Sequence, residues 1–161
     1  MKQKLKIVLA HNEEQIKDVY SMAQDFHEES HSSHGVFSPK KYEKFANFIR
    51  KYPDNYGAFI VYSHEEPVGF IYAVIGEGII SDNVSIATVQ FLYVKKEIRN
   101  SLLGGKVSVS LIRNLIKWSK GKGAKEIMLH FTAGISIQKS NKFMNKLGFK
   151  TLGANYSMSI N

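Results

Sequence analysis

The chain contains no cysteine among its 161 residues. That excludes disulfides, thiolate nucleophiles and Cys-based metal sites, and it is compatible with a reducing compartment. Long apolar runs are also missing. The longest, residues 68–75, is far short of the roughly 20 residues that a membrane-spanning helix needs. The start, Met1-Lys2-Gln3-Lys4, leads only into a brief apolar segment at residues 7–10. Neither a signal peptide nor an anchor is expected, and the cytoplasm is the default location. No internal repeat, low-complexity linker or dense basic tract interrupts the chain, so residues 1–161 read as one domain.

What is present suits a folded core. Hydrophobic residues make up 43% of the chain, with ten Phe and eight Tyr, and the mean hydropathy is -0.21. A disordered chain would lack the apolar surface needed to offset the entropy of ordering. The formal net charge is +8 and the pI about 9.5, so the protein should attract polyanions: nucleic acid, anionic lipid or a phosphorylated cofactor. The basic residues are dispersed, which argues against a dedicated nucleic-acid arm.

Alternation over residues 4–10 predicts a first strand. Ile16, Val19, Tyr20, Ala23 and Phe26 recur at helical spacing behind Asn12, a ready N-cap, and predict a helix to about Glu28. After a polar loop at 30–35, Ser38-Pro39 reads as an N-cap with proline in the first helical position, and Tyr42, Phe45, Ala46 and Ile49 form the next buried stripe. Two β-rich runs, 57–62 and 68–75, are joined by Ser63-His64-Glu65-Glu66-Pro67, a hairpin signature. Residues 76–83 turn the chain into a long strand over 84–94. A third helix has the inner face Val107, Leu111, Leu115 and Trp118 and stops at Gly121-Lys122-Gly123. There follow a short strand over 126–131, a helix marked by Ile137, Ser140, Met144 and Leu147 with Gly148 at C′, and a last strand over 151–160. The order β-α-α-β-β-β-α-β-α-β is an α/β (α+β) arrangement, a mixed sheet with helices on both faces.

The strand ending Leu92-Tyr93-Val94, the Arg99 loop, the helix after it and the closing Lys146-Leu147-Gly148-Phe149 together resemble the GNAT superfamily of N-acetyltransferases. The resemblance covers nearly the whole chain and centres on residues 84–149. In that family a loop of the form Arg/Gln-x-x-Gly-x-Gly/Ala joins the fourth strand to the third helix. Here Arg99, Leu102 and Gly104 hold its marked positions, and Leu102 stands where glycine is usual.

The resemblance implies a mostly antiparallel sheet splayed between the fourth and fifth strands, with acetyl-coenzyme A as cofactor. Amides of Asn100, Ser101, Leu102, Leu103, Gly104, Gly105 and Lys106, with the positive end of the helix, would form a nest for its pyrophosphate. Arg99 and Lys106 could add direct charge. Leu102 can still donate its N–H from a right-handed backbone, while Gly104 and Gly105 permit close approach. Pantetheine would lie along Leu92-Tyr93-Val94 and pair with the free backbone of Leu92 and Val94 as an added strand. Ser140 and Phe143 complete the implied cofactor set. In the structural alternative, Asn100 caps an ordinary helix and Gly104-Gly105 only relieve packing.

The resemblance further implies direct attack by a neutral primary amine, with the N–H near Val94 stabilising the oxyanion. Many members place a Glu on the fourth strand as base, but this chain has Thr88 and Gln90 there. Gln90 cannot accept a proton at neutral pH; it could position a water. The usual acid, a Tyr, is replaced by Met144, and Tyr156 on the last strand is the substitute candidate. Phe26-His27-Glu28-Glu29-Ser30 resembles the His-x-Glu-Ser run that ends the first helix in a compact, phage-associated group of GNAT proteins. Glu29 is the leading candidate there for binding the amine or accepting its proton through water, with a solvated helix end as the alternative.

His27, His31 and His34 invite a metal reading, but no His-Glu-x-x-His motif accompanies them, and no metal is expected. His130 reads as a sheet residue. The expected partner is a small-molecule or protein amine, without membrane, and a homodimer stays open. Two other functions compete: a GNAT-shaped coenzyme A-binding module that has lost catalysis, and, well behind it, a basic nucleic-acid-binding domain carried by the Lys/Arg residues of 113–125.

Overall fold

The computed structural model describes residues 4–30, 34–78, 80, 82–130, 137–153 and 158. The elements run β1 (Leu5–Leu9), α1 (Glu13–Glu29), α2 (Pro39–Lys51), β2 (Tyr56–Ser63), β3 (Glu66–Glu77), β4 (Ser85–Val94), α3 (Leu102–Gly121), β5 (Glu126–Leu129) and α4 (Ile137–Lys146). The strands form one sheet in the order β1-β2-β3-β4-β5. Neighbours are antiparallel except β4 and β5, which run parallel. This is the mixed, mostly antiparallel architecture expected. Of the expected last strand, residues 151–153 lie in no regular element, and residues 154–157, 159 and 160 lie outside the described residues. No helix among the described residues is long and apolar enough to cross a membrane.

Local chemistry accounts for most boundaries. Asn12 and Gln15 close a capping box on α1, the Asn12 side chain accepting from the Gln15 N–H at 2.9 Å. Ser38 caps α2 ahead of Pro39. Gly148 has a φ of 90°, and the Phe149 N–H reaches the Met144 carbonyl at 3.0 Å while the Gly148 N–H reaches Asn145 at 3.0 Å. Those paired bonds make the Schellman stop of α4.

The β2–β3 hairpin is tighter than its sequence suggests. Ser63 pairs with Glu66, and the two residues between them, His64 and Glu65, have φ of 51° and 69°, as a type I′ turn requires. Pro67 therefore falls inside β3. It sits beside a register shift that leaves Val68 as an extra residue, and such irregularities are where a strand tolerates proline.

Two apolar cores flank the sheet. One face packs Phe59, Val61, Ile71, Ala73, Ala87 and Val89 against Val107, Leu111, Leu115 and Trp118 of α3 and Met144 of α4. The other packs Ala58, Ile60, Phe70, Tyr72 and Tyr93 against Ile16, Val19 and Met22 of α1 and Tyr42, Ala46 and Ile49 of α2. Glycine lets α3 lie close to the sheet. A Cβ on Gly57 would stand 2.8 Å from the Trp118 ring, and one on Gly69 would stand 2.9 Å from the Val107 side chain. Gly57→Ala should therefore displace Trp118 and destabilise the fold by about 1–3 kcal/mol. Chemical denaturation followed through Trp118, the single tryptophan, measures it.

Candidate functional site

The site begins with one extra residue in β4. Tyr72 pairs with Phe91 and the next β3 residue, Ala73, pairs with Val89, so Gln90 is bulged out of the ladder. Alternation along the strand is thereby reset. Ala87 and Val89 pack toward α3 on one side of the bulge, while Leu92 and Val94 pack there on the other. Gln90 and Phe91, although adjacent in sequence, both line the α1/α2 side.

The same bulge coincides with the end of pairing on the other edge. β5 matches β4 only from Ile86 to Val89, so Gln90 to Val94 have no strand partner on that side among the described residues. The Lys95 N–H donates to the Val68 carbonyl at 3.0 Å. By the alternation of an antiparallel ladder, the peptide groups of Leu92 and Val94 then face the opened edge. Among the described residues, the fourth and fifth strands are thus paired only up to Val89, where the splay was expected.

Beyond the strand, Ser101 caps α3, not Asn100. Its hydroxyl accepts from the Gly104 N–H at 3.2 Å and donates to the Ile98 carbonyl at 2.7 Å. Gly105 reaches the Ser101 carbonyl. The N–H groups of Leu102 and Leu103, first in the helix, have no acceptor among the described residues, so two oriented donors and the helix dipole face outward. Leu102 is helical and 87% exposed, which answers the missing loop glycine.

The two glycines do different things. A Cβ on Gly104 would lie 2.2 Å from the Ile98 carbonyl oxygen, whereas one on Gly105 would meet nothing within 4 Å. Gly104 is therefore required by the loop's own backbone, while Gly105 opens onto a groove.

That groove, about 890 Å³, is lined by Asn100, Ser101, Leu102, Gly105 and Lys106, then by Val109, Ser110, Arg113 and Asn114 of α3, with Leu5 and Phe143. Ser140, expected beside Phe143, is instead buried on α4. The residues missed by sequence reading, Ser110, Arg113 and Asn114, follow Lys106 at helical spacing. Projecting the α3 face outward from Lys106 would have found them.

Arg99 differs from expectation: its guanidinium does not line this groove. Its Nε and one terminal nitrogen donate to the Val94 carbonyl at 3.1 and 3.0 Å, and the other terminal nitrogen donates to Glu29 at 2.7 Å. It also stands over the Tyr93 ring at 5.4 Å. The Tyr93 hydroxyl donates to the other Glu29 oxygen at 3.3 Å. The Arg99 hydrogen bond, opposed by burial, holds the Glu29 carboxyl below the usual carboxylate range. Burial, reinforced by the Glu29 charge, pushes the Tyr93 phenol up. Glu29 thus ties the end of α1 to the end of β4, and it does not line the neighbouring cavity.

That cavity, about 440 Å³, lies between α1, α2 and the β4 bulge. Phe26, Phe37, Tyr42, Phe45, Phe70 and Phe91 supply its rings, and His27, Ser30, Ser38, Lys41 and Gln90 its polar groups. Sequence reading placed Phe45 only in a helix stripe, and named Phe26 and His27 in the run resembling His-x-Glu-Ser without giving either a role toward the acceptor. His31 and Tyr156 lie outside the described residues.

Comparison with known proteins bears on the family and the fold. The profile of the Acetyltransferase (GNAT) family matches residues 16–149. No curated protein matches the sequence. The structure is similar to that of AAC(6')-Iy in complex with the bisubstrate analogue CoA-S-monomethyl-acetylneamine, with a TM-score of 0.74 and 15% identity over 98% of this chain and 99% of that one. It is similar to glucosamine-6-phosphate N-acetyltransferase from Arabidopsis thaliana, with a TM-score of 0.66 and 16% identity over 99% and 100% of the two chains. An aminoglycoside acetyltransferase from an uncultured soil metagenomic sample matches with a TM-score of 0.69 and 16% identity over 98% and 99%. At such identities these structures establish the fold, and the profile across residues 16–149 establishes the lineage: the chain belongs to the GNAT family of acetyltransferases.

Proposed function

We propose that the protein transfers an acetyl group from acetyl-coenzyme A to a primary amine by direct attack with both substrates bound. The observation that carries this reading is the placement of two recesses on either side of one strand break. The peptide groups of Leu92 and Val94 face the edge of β4 that β5 leaves unpaired among the described residues, the free amides of α3 open onto the basic groove, and Gln90 and Phe91 turn into the aromatic cavity. The residues present fit coenzyme A. Orphan amides at Leu102 and Leu103, a side-chain-free approach at Gly105, and the cations of Lys106 and Arg113 form a built anion site. When bound, acetyl-coenzyme A supplies an activated thioester.

The chain's own groups then divide the work. The outward N–H groups of Leu92 and Val94 align an extended ligand and stabilise negative charge developing on an acyl oxygen. Gln90 orients the incoming nitrogen or its water from the α1/α2 side. His27 lines the same cavity, and we assign its imidazole the amine's proton. Glu29 acts through Arg99 as a positioning residue, holding the end of β4 against α1. No side-chain acid is needed near the buried Met144, because water readily protonates a thiolate of pKa about 8.5. Neamine and glucosamine 6-phosphate, named for two structural relatives, are amines and support this acceptor chemistry.

Calorimetry should show saturable acetyl-coenzyme A binding, weakened about tenfold by Lys106→Ala or Arg113→Ala and falling with added salt. No binding at low salt in the intact protein ends the proposal. Gly105→Ala should weaken that binding with an unchanged melting temperature, whereas Gly104→Ala should lower the melting temperature itself. His27→Gln should reduce kcat by about 10² or more and leave acetyl-coenzyme A affinity intact; an unchanged pH–rate profile would remove His27 from the mechanism.

A further inference from the structure

The acceptor side of the site has a chemistry of its own. Six aromatic side chains, Phe26, Phe37, Tyr42, Phe45, Phe70 and Phe91, enclose a recess of about 440 Å³, within the range of pockets that take one small molecule. Phe91 meets the Phe26 ring edge-on at 5.2 Å and Phe45 at 6.3 Å, so the bulge residue belongs to a mutually braced set of rings. Among the described lining residues there is no carboxylate, and Lys41 contributes a cation.

Two nearby acids are already engaged, and Asp25 and Glu43, whose charges act on Tyr93 and Tyr42, do not line the recess. Glu29 is held by Arg99 and Tyr93, and Asp18 accepts from the Tyr62 hydroxyl at 2.6 Å. The formal net charge of +8 adds a long-range field that repels polycations. A polyhydroxylated or multiply charged amine would bring polar groups against six aromatic rings, with no carboxylate among the described lining residues to meet extra positive charge, at a cost in desolvation.

We propose that the acceptor is a monocationic primary amine carrying an aromatic or similarly compact apolar group. The ring lies among these side chains and the nitrogen is presented at Gln90. This rests on the acetyl-transfer reading of the same site and narrows it. It also separates this chain from the structurally similar aminoglycoside acetyltransferase, since the shared fold leaves the acceptor walls free to differ.

The test is the rate of free-thiol release from acetyl-coenzyme A with 2-phenylethylamine, spermidine or kanamycin as acceptor, using the full chain at about 0.15 M salt. The expected result is a kcat/KM for 2-phenylethylamine about tenfold or more above the other two. Phe91→Ala should raise the KM for 2-phenylethylamine about tenfold through lost ring burial, with acetyl-coenzyme A affinity by calorimetry unchanged. Phe37→Ala, in a loop and not on a core element, gives a second reading should Phe91→Ala fail to fold. Faster turnover of spermidine or kanamycin overturns the acceptor class while leaving acetyl transfer standing, as does a wild-type KM in both variants. If no amine releases thiol yet acetyl-coenzyme A binds, NMR titration of that complex with 2-phenylethylamine decides, saturable binding supporting the class and its absence overturning it. Failure to bind acetyl-coenzyme A overturns the transfer reading, and this acceptor with it.

Discussion

The opened edge of β4 and the wall of the aromatic cavity both begin at one interruption of hydrogen bonding, the residue Gln90 that β4 carries in excess of β3. An extra residue bends a strand and increases its local twist. Among the described residues, pairing of β4 with β5 runs from Ile86 to Val89 and ends one residue before that bend. Backbone polar groups that lose a strand partner must find another or face water. At Leu92 and Val94 they become a ready-made edge, and edge strands are where an extended ligand adds itself. The reset of alternation also brings two consecutive side chains to one face, so a single insertion both opens an edge and furnishes the wall behind it.

The two sides of that interruption are electrostatically unlike. Toward α3 lie helix amides, Lys106 and Arg113, suited to a polyanion in a molecule that is already cationic. Toward α1 and α2 lie rings, with a histidine, two serines, a lysine and an amide. Between them runs the clamp of Glu29, Arg99 and Tyr93, in which one guanidinium serves a carboxylate and the Val94 carbonyl together. Arg99 thereby satisfies one acceptor on the opened edge and leaves the edge N–H groups available. Because the folded-state pKa of Glu29 is depressed, the clamp's contribution to stability is present above the ordinary carboxylate range and is lost as the pH falls through the lowered value. Both partners are about one-third exposed or less, at 32% for Arg99 and 27% for Glu29, so solvent screening keeps that contribution modest.

Much of the frame was legible from residues alone. Helical spacing located α1, α2 and α3, the caps at Asn12 and Ser38 and the stop at Gly148 behave as their chemistry demands, and the loop between β4 and α3 was recognisable through Arg99 and Gly104. What was not legible has physical causes. A bulge leaves no signature in the local order of residues, since Gln90 reads simply as the next position of an alternating run. Reading through it, Phe91 falls on the wrong face and the aromatic cavity disappears. Arg99 looked like a phosphate ligand because sequence reports its charge and not its direction. Glu29 looked like an acceptor-site acid because a partner 70 residues away is invisible in one dimension. The N-cap passed from Asn100 to Ser101 because both types cap well, and only the Ile98 and Gly104 contacts of the Ser101 hydroxyl distinguish them.

The contact between Gly104 and the preceding loop has a consequence for how an anion would be met. With the Gly104 Cα pressed against the Ile98 carbonyl and the Arg99 backbone, and Ser101 bonded both forward and backward, loop and helix start form one rigid corner. The donors at Leu102 and Leu103 are already aimed before anything arrives. Little chain entropy is then left to lose on association, so selectivity at this corner is a matter of shape, and a ligand of the wrong curvature has no compliant backbone to accommodate it.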